Sequence, residues 1–184
     1  MKSAASKLKL YYFTCYGRAE PIRILLHQAK VDFEDIRFEY ADFNKLKEEM
    51  GDKLEFGQAP VIVTPEGESY SQSQSILRLL GKQHGFYPED NVAAWKVDST
   101  LDANRDLQEK FWDVQMAGYK QLGEEKTQEL LNEYAVKFLP NYLRVMQKRL
   151  IKNGSDKFMV GDAVTLADID NAHIAYTYLL NDMN

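Results

Sequence analysis

Hydrophobic and polar positions change their rhythm once along this chain. Up to about residue 84, short apolar runs alternate with helical stripes; beyond about residue 92 only helical spacing remains. Lys7 to Phe13 reads as a strand. Arg18 to Lys30 carries Ile22, Leu25, Leu26 and Ala29 at helical spacing, with Pro21 in the first turn, where its missing N–H costs little. Val31 to Phe38 alternates apolar and charged residues, the mark of a half-buried strand. A strand reached through a helix implies a βαβ unit and a parallel pair. Asp42 to Glu49 is a short helical or irregular stretch, basic at Lys45 and Lys47. Ala59 to Val63 is a third strand entered through Pro60. Pro65-Glu66-Gly67-Glu68 is a tight turn, and Ser69 to Ser71 completes a hairpin. Ser71-Gln72-Ser73 offers N-cap oxygens to a helix carrying Ile76, Leu77, Leu79 and Leu80 to about His84, with Gly85 as its C′ residue.

The order β-α-β-(short helix)-β-β-α is the plan of a thioredoxin-like sheet with helices packed on it. Phe86 to Asn91 breaks the composition and reads as a linker, which gives domains over 7–85 and 92–184. The second domain is expected to be all-helical. One helix spans Val92 to about Gly118, and another spans Thr127 to about Asn153, bent or interrupted at Pro140. Thr165-Leu166-Ala167-Asp168 has capping-box form, with Val164 and Ile169 placed as a hydrophobic staple. The helix it opens runs through Ile174 and Tyr178 toward the end, apolar enough to be a buried central helix.

Composition narrows the function. A chain of 184 residues with net charge −5, spread along its length, gives no footprint for nucleic acid or for an anionic membrane surface. Lys148-Arg149 fits a solvated helix face. A single cysteine, Cys15, excludes an internal disulfide and fits a reducing compartment. No apolar run has transmembrane length, and Met1 to Lys7 lacks the apolar core of a secretory signal, so the expectation is a soluble, cytoplasmic protein. His27, His84 and His173 lack metal-ligand spacing, and no metal is expected.

The stretch Leu10 to Pro21 invites chemistry. Tyr11 and Tyr12 close a strand, Gly17 permits a backbone turn, and a helix N-terminus follows with exposed N–H groups and partial positive charge. Such a junction suits an anion, with a tyrosine hydroxyl aimed at it. Both tyrosines also fit as ordinary strand residues.

Several motifs carry a resemblance across nearly the whole chain. They are Tyr12-Phe13 with Gly17-Arg18-Ala19-Glu20, Ala41-Asp42-Phe43, Gly57-Gln58-Ala59-Pro60, Gln72-Ser73 with Ile76, and Val160 to Asp168. In this order and spacing the chain resembles the cytosolic glutathione transferases, and within them the sigma class, which includes prostaglandin-isomerising enzymes and lens crystallins. The resemblance implies a thioredoxin-like glutathione-binding domain, an all-α domain and a homodimer. Glutathione would be the co-substrate and a small hydrophobic electrophile the second substrate. Tyr12 matches the tyrosine whose hydroxyl stabilises the glutathione thiolate, and Arg18 matches an arginine adding positive field. Pro60 matches a cis-proline that lets the Ala59 backbone pair with the cysteinyl part. Gln72 and Ser73 match the binders of the γ-glutamyl carboxylate; Phe43 and Lys47, with Gln58 beside them, match those of the glycyl end. Asp106, with Asp102 as competitor, resembles the acid that reaches the γ-glutamyl amine from the other subunit.

Alternatives bear on the same residues. Tyr11 lies on the opposite strand face from Tyr12. Cys15 would make mixed disulfides with glutathione, and the cysteine of other transferase classes aligns nearer Tyr16. Asp162 and Asp168 fit helix capping better than catalysis. Two departures stand out. Phe43 replaces a tryptophan and its N–H donor. The sequence ends at Asn184, in or just after the central helix, where the family adds further helices, so the architecture is expected to be short at its C-terminus, with apolar surface and the second site left open. Tyr16, Arg105, Gln108 and Trp112 are candidates for that second site. The expected function is conjugation of glutathione to electrophiles. A glutathione-dependent prostaglandin isomerase or peroxidase, a non-catalytic crystallin-like or ligand-binding protein, and a thiol transferase through Cys15 are the alternatives.

Overall fold

In the computed structural model, residues 7–179 are described. Met1 to Ser6 and Leu180 to Asn184 lie outside them. The chain divides into two compact units, one ending at Gly85 and the next beginning at Phe86.

The first unit is built on a four-stranded sheet of order β2-β1-β3-β4, formed by β1 (Leu8–Phe13), β2 (Phe33–Phe38), β3 (Val61–Val63) and β4 (Ser69–Ser71). The β1/β2 pair is parallel, as the intervening helix requires, and the other two pairs are antiparallel. The α-helices of its described residues are α1 (Glu20–Gln28), α2 (Phe43–Met50) and α3 (Ser73–Gln83). Strand alternation sorts the core. Leu10 pairs with Ile62 on one face, while Tyr11 pairs with Val61 on the other. Tyr11, Phe43 and Met50 pack on the second face around Leu54, Val61 and Val63. Ile22, Leu25 and Leu26 of α1 and Ile76, Leu77 and Leu80 of α3 are buried, and the two helices pack together.

Two expected details differ. The helix read from Arg18 opens instead as a 3₁₀ turn, Gly17–Ala19, before α1 proper. The cap of α3 is Gln72 at φ 70°, ψ 106°, with no side-chain capping bond, so the oxygens of Ser71 and Ser73 do not serve as caps.

The second unit is helical: α4 (Asn91–Tyr119), α5 (Glu124–Asn132), α6 (Leu139–Asn153) and α7 (Leu166–Ile174). Asp90 caps α4 by accepting the Ala93 N–H at 2.8 Å. Phe86 and Tyr87, read as linker, are tied to this unit: Leu166 N–H donates to the Phe86 carbonyl and the Tyr87 hydroxyl to Asp98. The stretch read as one helix over Thr127 to Asn153 is two, joined by a π-helical segment Glu133–Phe138. Pro140 stands in the first turn of α6. It cannot donate to the preceding turn, and its ring crowds the carbonyl there, so the wider turn precedes it. Leu107, Tyr134, Tyr142, Met146 and Ile174 form the core, with Phe111, Phe138 and Tyr178 packed on it. The capping box at Thr165 is present, and α7 is buried along most of its length, including His173, whose ring shares a hydrogen bond with Thr177.

Candidate active site

Sheet register gathers the first unit's candidates at one end. Tyr11 pairs with Val61 and Val61 with Ser71, so the next residues in line are Tyr12, Pro60 and Gln72. On the other side Phe13 pairs with Phe38. The Ala59–Pro60 peptide is cis. Gln72 Nε2 donates to Gln58 Oε1 at 3.4 Å, joining the two loops that flank this row. Ser73 opens α3, where the first N–H groups of a helix have no intrahelical acceptor.

Tyr12 is the buried member of the row, 7% exposed. Its hydroxyl accepts the Arg18 N–H at 3.0 Å. Gly17 comes so close that a Cβ there would stand 2.6 Å from the Tyr12 hydroxyl oxygen. Burial pushes the Tyr12 pKa above its ordinary value of 10, and the Arg18 N–H only partly offsets this. The hydroxyl is therefore protonated at neutral pH. With the backbone filling its acceptor side, its proton is left to donate to a third group. Tyr11, facing the other way, is packing for the Leu54 cluster.

The turn over Tyr12 is held by a residue that motif reading passed over. Arg23, 3% exposed, donates from Nη1 to the carbonyls of Cys15 and Tyr16 and to Glu20, and from Nε to both oxygens of Asp35. Its guanidinium carbon lies 5.8 Å from the centre of the Tyr12 ring. The signal was available: a charged residue stands between Ile22 and Leu25 on a buried helix stripe, and such a charge demands partners. Arg18 contributes its N–H to the hydroxyl, while its side chain is exposed. Cys15 is exposed, but the protein crowded around its thiol raises the pKa, and Arg23 and Arg37 offset that only in part. A thiol shifted upward is a poor nucleophile at neutral pH.

Phe43 and Lys47 are brought together on α2. The Lys47 ammonium lies 4.5 Å from the centre of the Phe43 ring. Asp106 and Asp102 are exposed on α4 of the second unit. Among the second-site candidates, Tyr16 and Trp112 are exposed and Gln108 is buried. Asp168 accepts from the N–H and hydroxyl of Thr165 and from the Met159 N–H, and so acts as a structural clamp. No group of acidic, histidine or cysteine side chains suited to a metal occurs among the described residues, and no described helix is long and apolar enough to cross a membrane.

A mixed sheet with a cis-proline before its third strand, followed by an all-helical unit, defines a thioredoxin-like domain joined to a helical domain. Residues 7–82 match the glutathione S-transferase N-terminal domain and residues 105–183 the C-terminal domain. Glutathione S-transferase 1 of Ascaris suum is 36% identical over 163 residues, covering 88% of this chain and 75% of that protein. A monomeric glutathione S-transferase of Necator americanus superposes with TM-score 0.78 at 30% identity, over 92% of this chain and 79% of that one. A sigma-class enzyme of Fasciola hepatica gives 0.77 at 25% identity, over 96% and 83%. The chain belongs to the glutathione S-transferase family and is a glutathione transferase.

Proposed function

We propose that the chain conjugates reduced glutathione to small hydrophobic electrophiles, with Tyr12 holding the sulfur as thiolate. The observation that carries this is the polarity of the Tyr12 hydroxyl: its acceptor side takes the Arg18 N–H, and burial keeps its proton on. A group so arranged is a donor. A thiol is a weak nucleophile and its thiolate a strong one, and a hydrogen bond donated to sulfur favours the charged form. The thiol proton leaves to water, the sulfur pair forms the new bond to carbon, and a leaving group departs with its own pair.

The rest of the row supports the same reading. The Ala59 backbone, before cis-Pro60 and beyond the β3 ladder, suits main-chain pairing with an extended cysteinyl segment. Ser73, with its hydroxyl and helix N-terminal N–H, and Gln72 suit the γ-glutamyl carboxylate. Lys47, with Phe43 and Gln58, suits the glycyl carboxylate. Asp106 is proposed for the γ-glutamyl amine of a partner copy in a cytoplasmic homodimer, and sedimentation tests that assembly. Arg18 adds positive field beside the hydroxyl.

Tyr12→Phe tests the proposal. Turnover of a model aryl halide should drop about 10- to 100-fold at neutral pH, the worth of a hydrogen bond to a charged group. The gap should narrow as pH approaches about 8.5, where a free thiol ionises unaided. Undiminished turnover at pH 7 would remove Tyr12 from the mechanism.

A further inference from the structure

We propose that Phe43 is a positioning residue: its ring face holds the Lys47 ammonium, so the site reads the terminal carboxylate of its peptide thiol with a fixed point charge. This rests on the glutathione site read above. Phe43 and Lys47 are four residues apart on α2 and share a helix face. The ammonium sits 4.5 Å from the ring centre, well inside the range where the negative face of an aromatic ring attracts a cation.

The ring is itself immobilised. It stacks on Phe38 at 5.6 Å with 6° between planes and meets Phe13 edge-on at 5.2 Å. Phe13 and Phe38 are cross-strand partners at the end of the sheet that carries Tyr12. The chain of contact thus runs from strand end to ring to ammonium. A ring of carbon and hydrogen gives a carboxylate no donor, so recognition falls to the lysine it holds. Among the described residues Lys47 forms no ion pair, whereas Lys45 is engaged with Glu49 at 3.8 Å. The Lys47 ammonium keeps its N–H donors for an incoming anion. The chemical class selected is a peptide thiol whose terminal carboxylate lies one residue beyond the cysteine, as the glycyl carboxylate of glutathione does.

Calorimetric binding of glutathione and of γ-glutamylcysteine, which lacks the glycyl residue, tests this on the full chain. Phe43→Leu should weaken glutathione about two- to fivefold and leave γ-glutamylcysteine unchanged. Phe43→Tyr keeps the ring and should keep the affinity. In a Lys47→Gln background, Phe43→Leu should cost nothing further. An equal loss for both ligands, or additive losses in the double variant, would show the ring acting through packing alone and overturn the proposal. So would glutathione affinity indifferent to Lys47→Gln, a surface exchange that leaves the aromatic stack intact. A wild-type chain that fails to bind glutathione overturns the site reading and this proposal with it; tight binding with an uncoupled cycle overturns this proposal alone.

Discussion

The Tyr12 hydroxyl is placed by a missing side chain. Gly17 has φ +42°, and an added Cβ would meet the Tyr12 ring at 2.9 Å as well as its oxygen at 2.6 Å. Gly17→Ala therefore carries two penalties, a left-handed backbone and a collision with a buried ring that cannot retreat. We expect a loss of about 1–3 kcal/mol in unfolding free energy and a fall in kcat/KM of at least tenfold as the hydroxyl leaves the Arg18 N–H. Gly67 isolates the backbone share. It has φ +95° with nothing within 4 Å of an added Cβ, so Gly67→Ala should cost stability and spare activity. Thermal melts and steady-state kinetics on both variants decide. A fully active Gly17→Ala would show that the hydroxyl tolerates displacement. The sequence marked Gly17 as a turn residue; that the turn is shaped around a phenol needed the packed ring.

At the scale of elements, what the sequence made legible followed from periodicity and from local capping chemistry. The parallel β1/β2 pair, the hairpin and the capping box depend on residues close in sequence or on a chirality rule, and each was readable. The π-helical segment Glu133–Phe138 was not, because apolar spacing there fits an α-helix equally well and only the crowding ahead of Pro140 separates the two. The Arg23 clamp joins a helix to a turn and to Asp35 on β2, and motif matching does not see such pairs. Asp168 and Asp162 looked alike as acids near one another, yet they differ physically. Asp168 receives three hydrogen bonds from Thr165 and Met159, fixing both the start of α7 and the loop before it. Asp162 is exposed. Asp168→Ala should lower urea stability by about 2–3 kcal/mol, a lost cap together with stranded N–H groups, and Asp162→Ala by no more than about 0.5 kcal/mol. Equal effects would mean that the clamp contributes nothing.

On the scale of the molecule, both units bury tyrosine hydroxyls, and this fixes how stability responds to alkali. In the helical unit Tyr142 donates to Asn104 Oδ1 at 2.6 Å, and the Asn104 amide donates to Asp170 Oδ2 at 2.8 Å and to Asn171 at 2.9 Å. Burial first, and then the nearby Asp170 charge, push the Tyr142 pKa far above its ordinary value of 10. Tyr12 and Tyr134 are raised as well, chiefly by burial. The folded chain thus keeps protons that the unfolded chain releases above pH 10. With fewer protons bound by the unfolded state, stability is fully present below pH 10 and falls as pH rises beyond it, by up to about 1.4 kcal/mol per pH unit for each such group. Tyr142→Phe should be less stable than wild type at pH 8 by about 1–2 kcal/mol, since Asn104 loses its donor. Between pH 10 and 11.5 its stability should decline less steeply, one titrating hydroxyl having been removed. Urea unfolding over that range reads both effects. Parallel curves for the two proteins would mean that the Tyr142 proton is not retained on folding and that alkaline unfolding is driven from elsewhere in the chain.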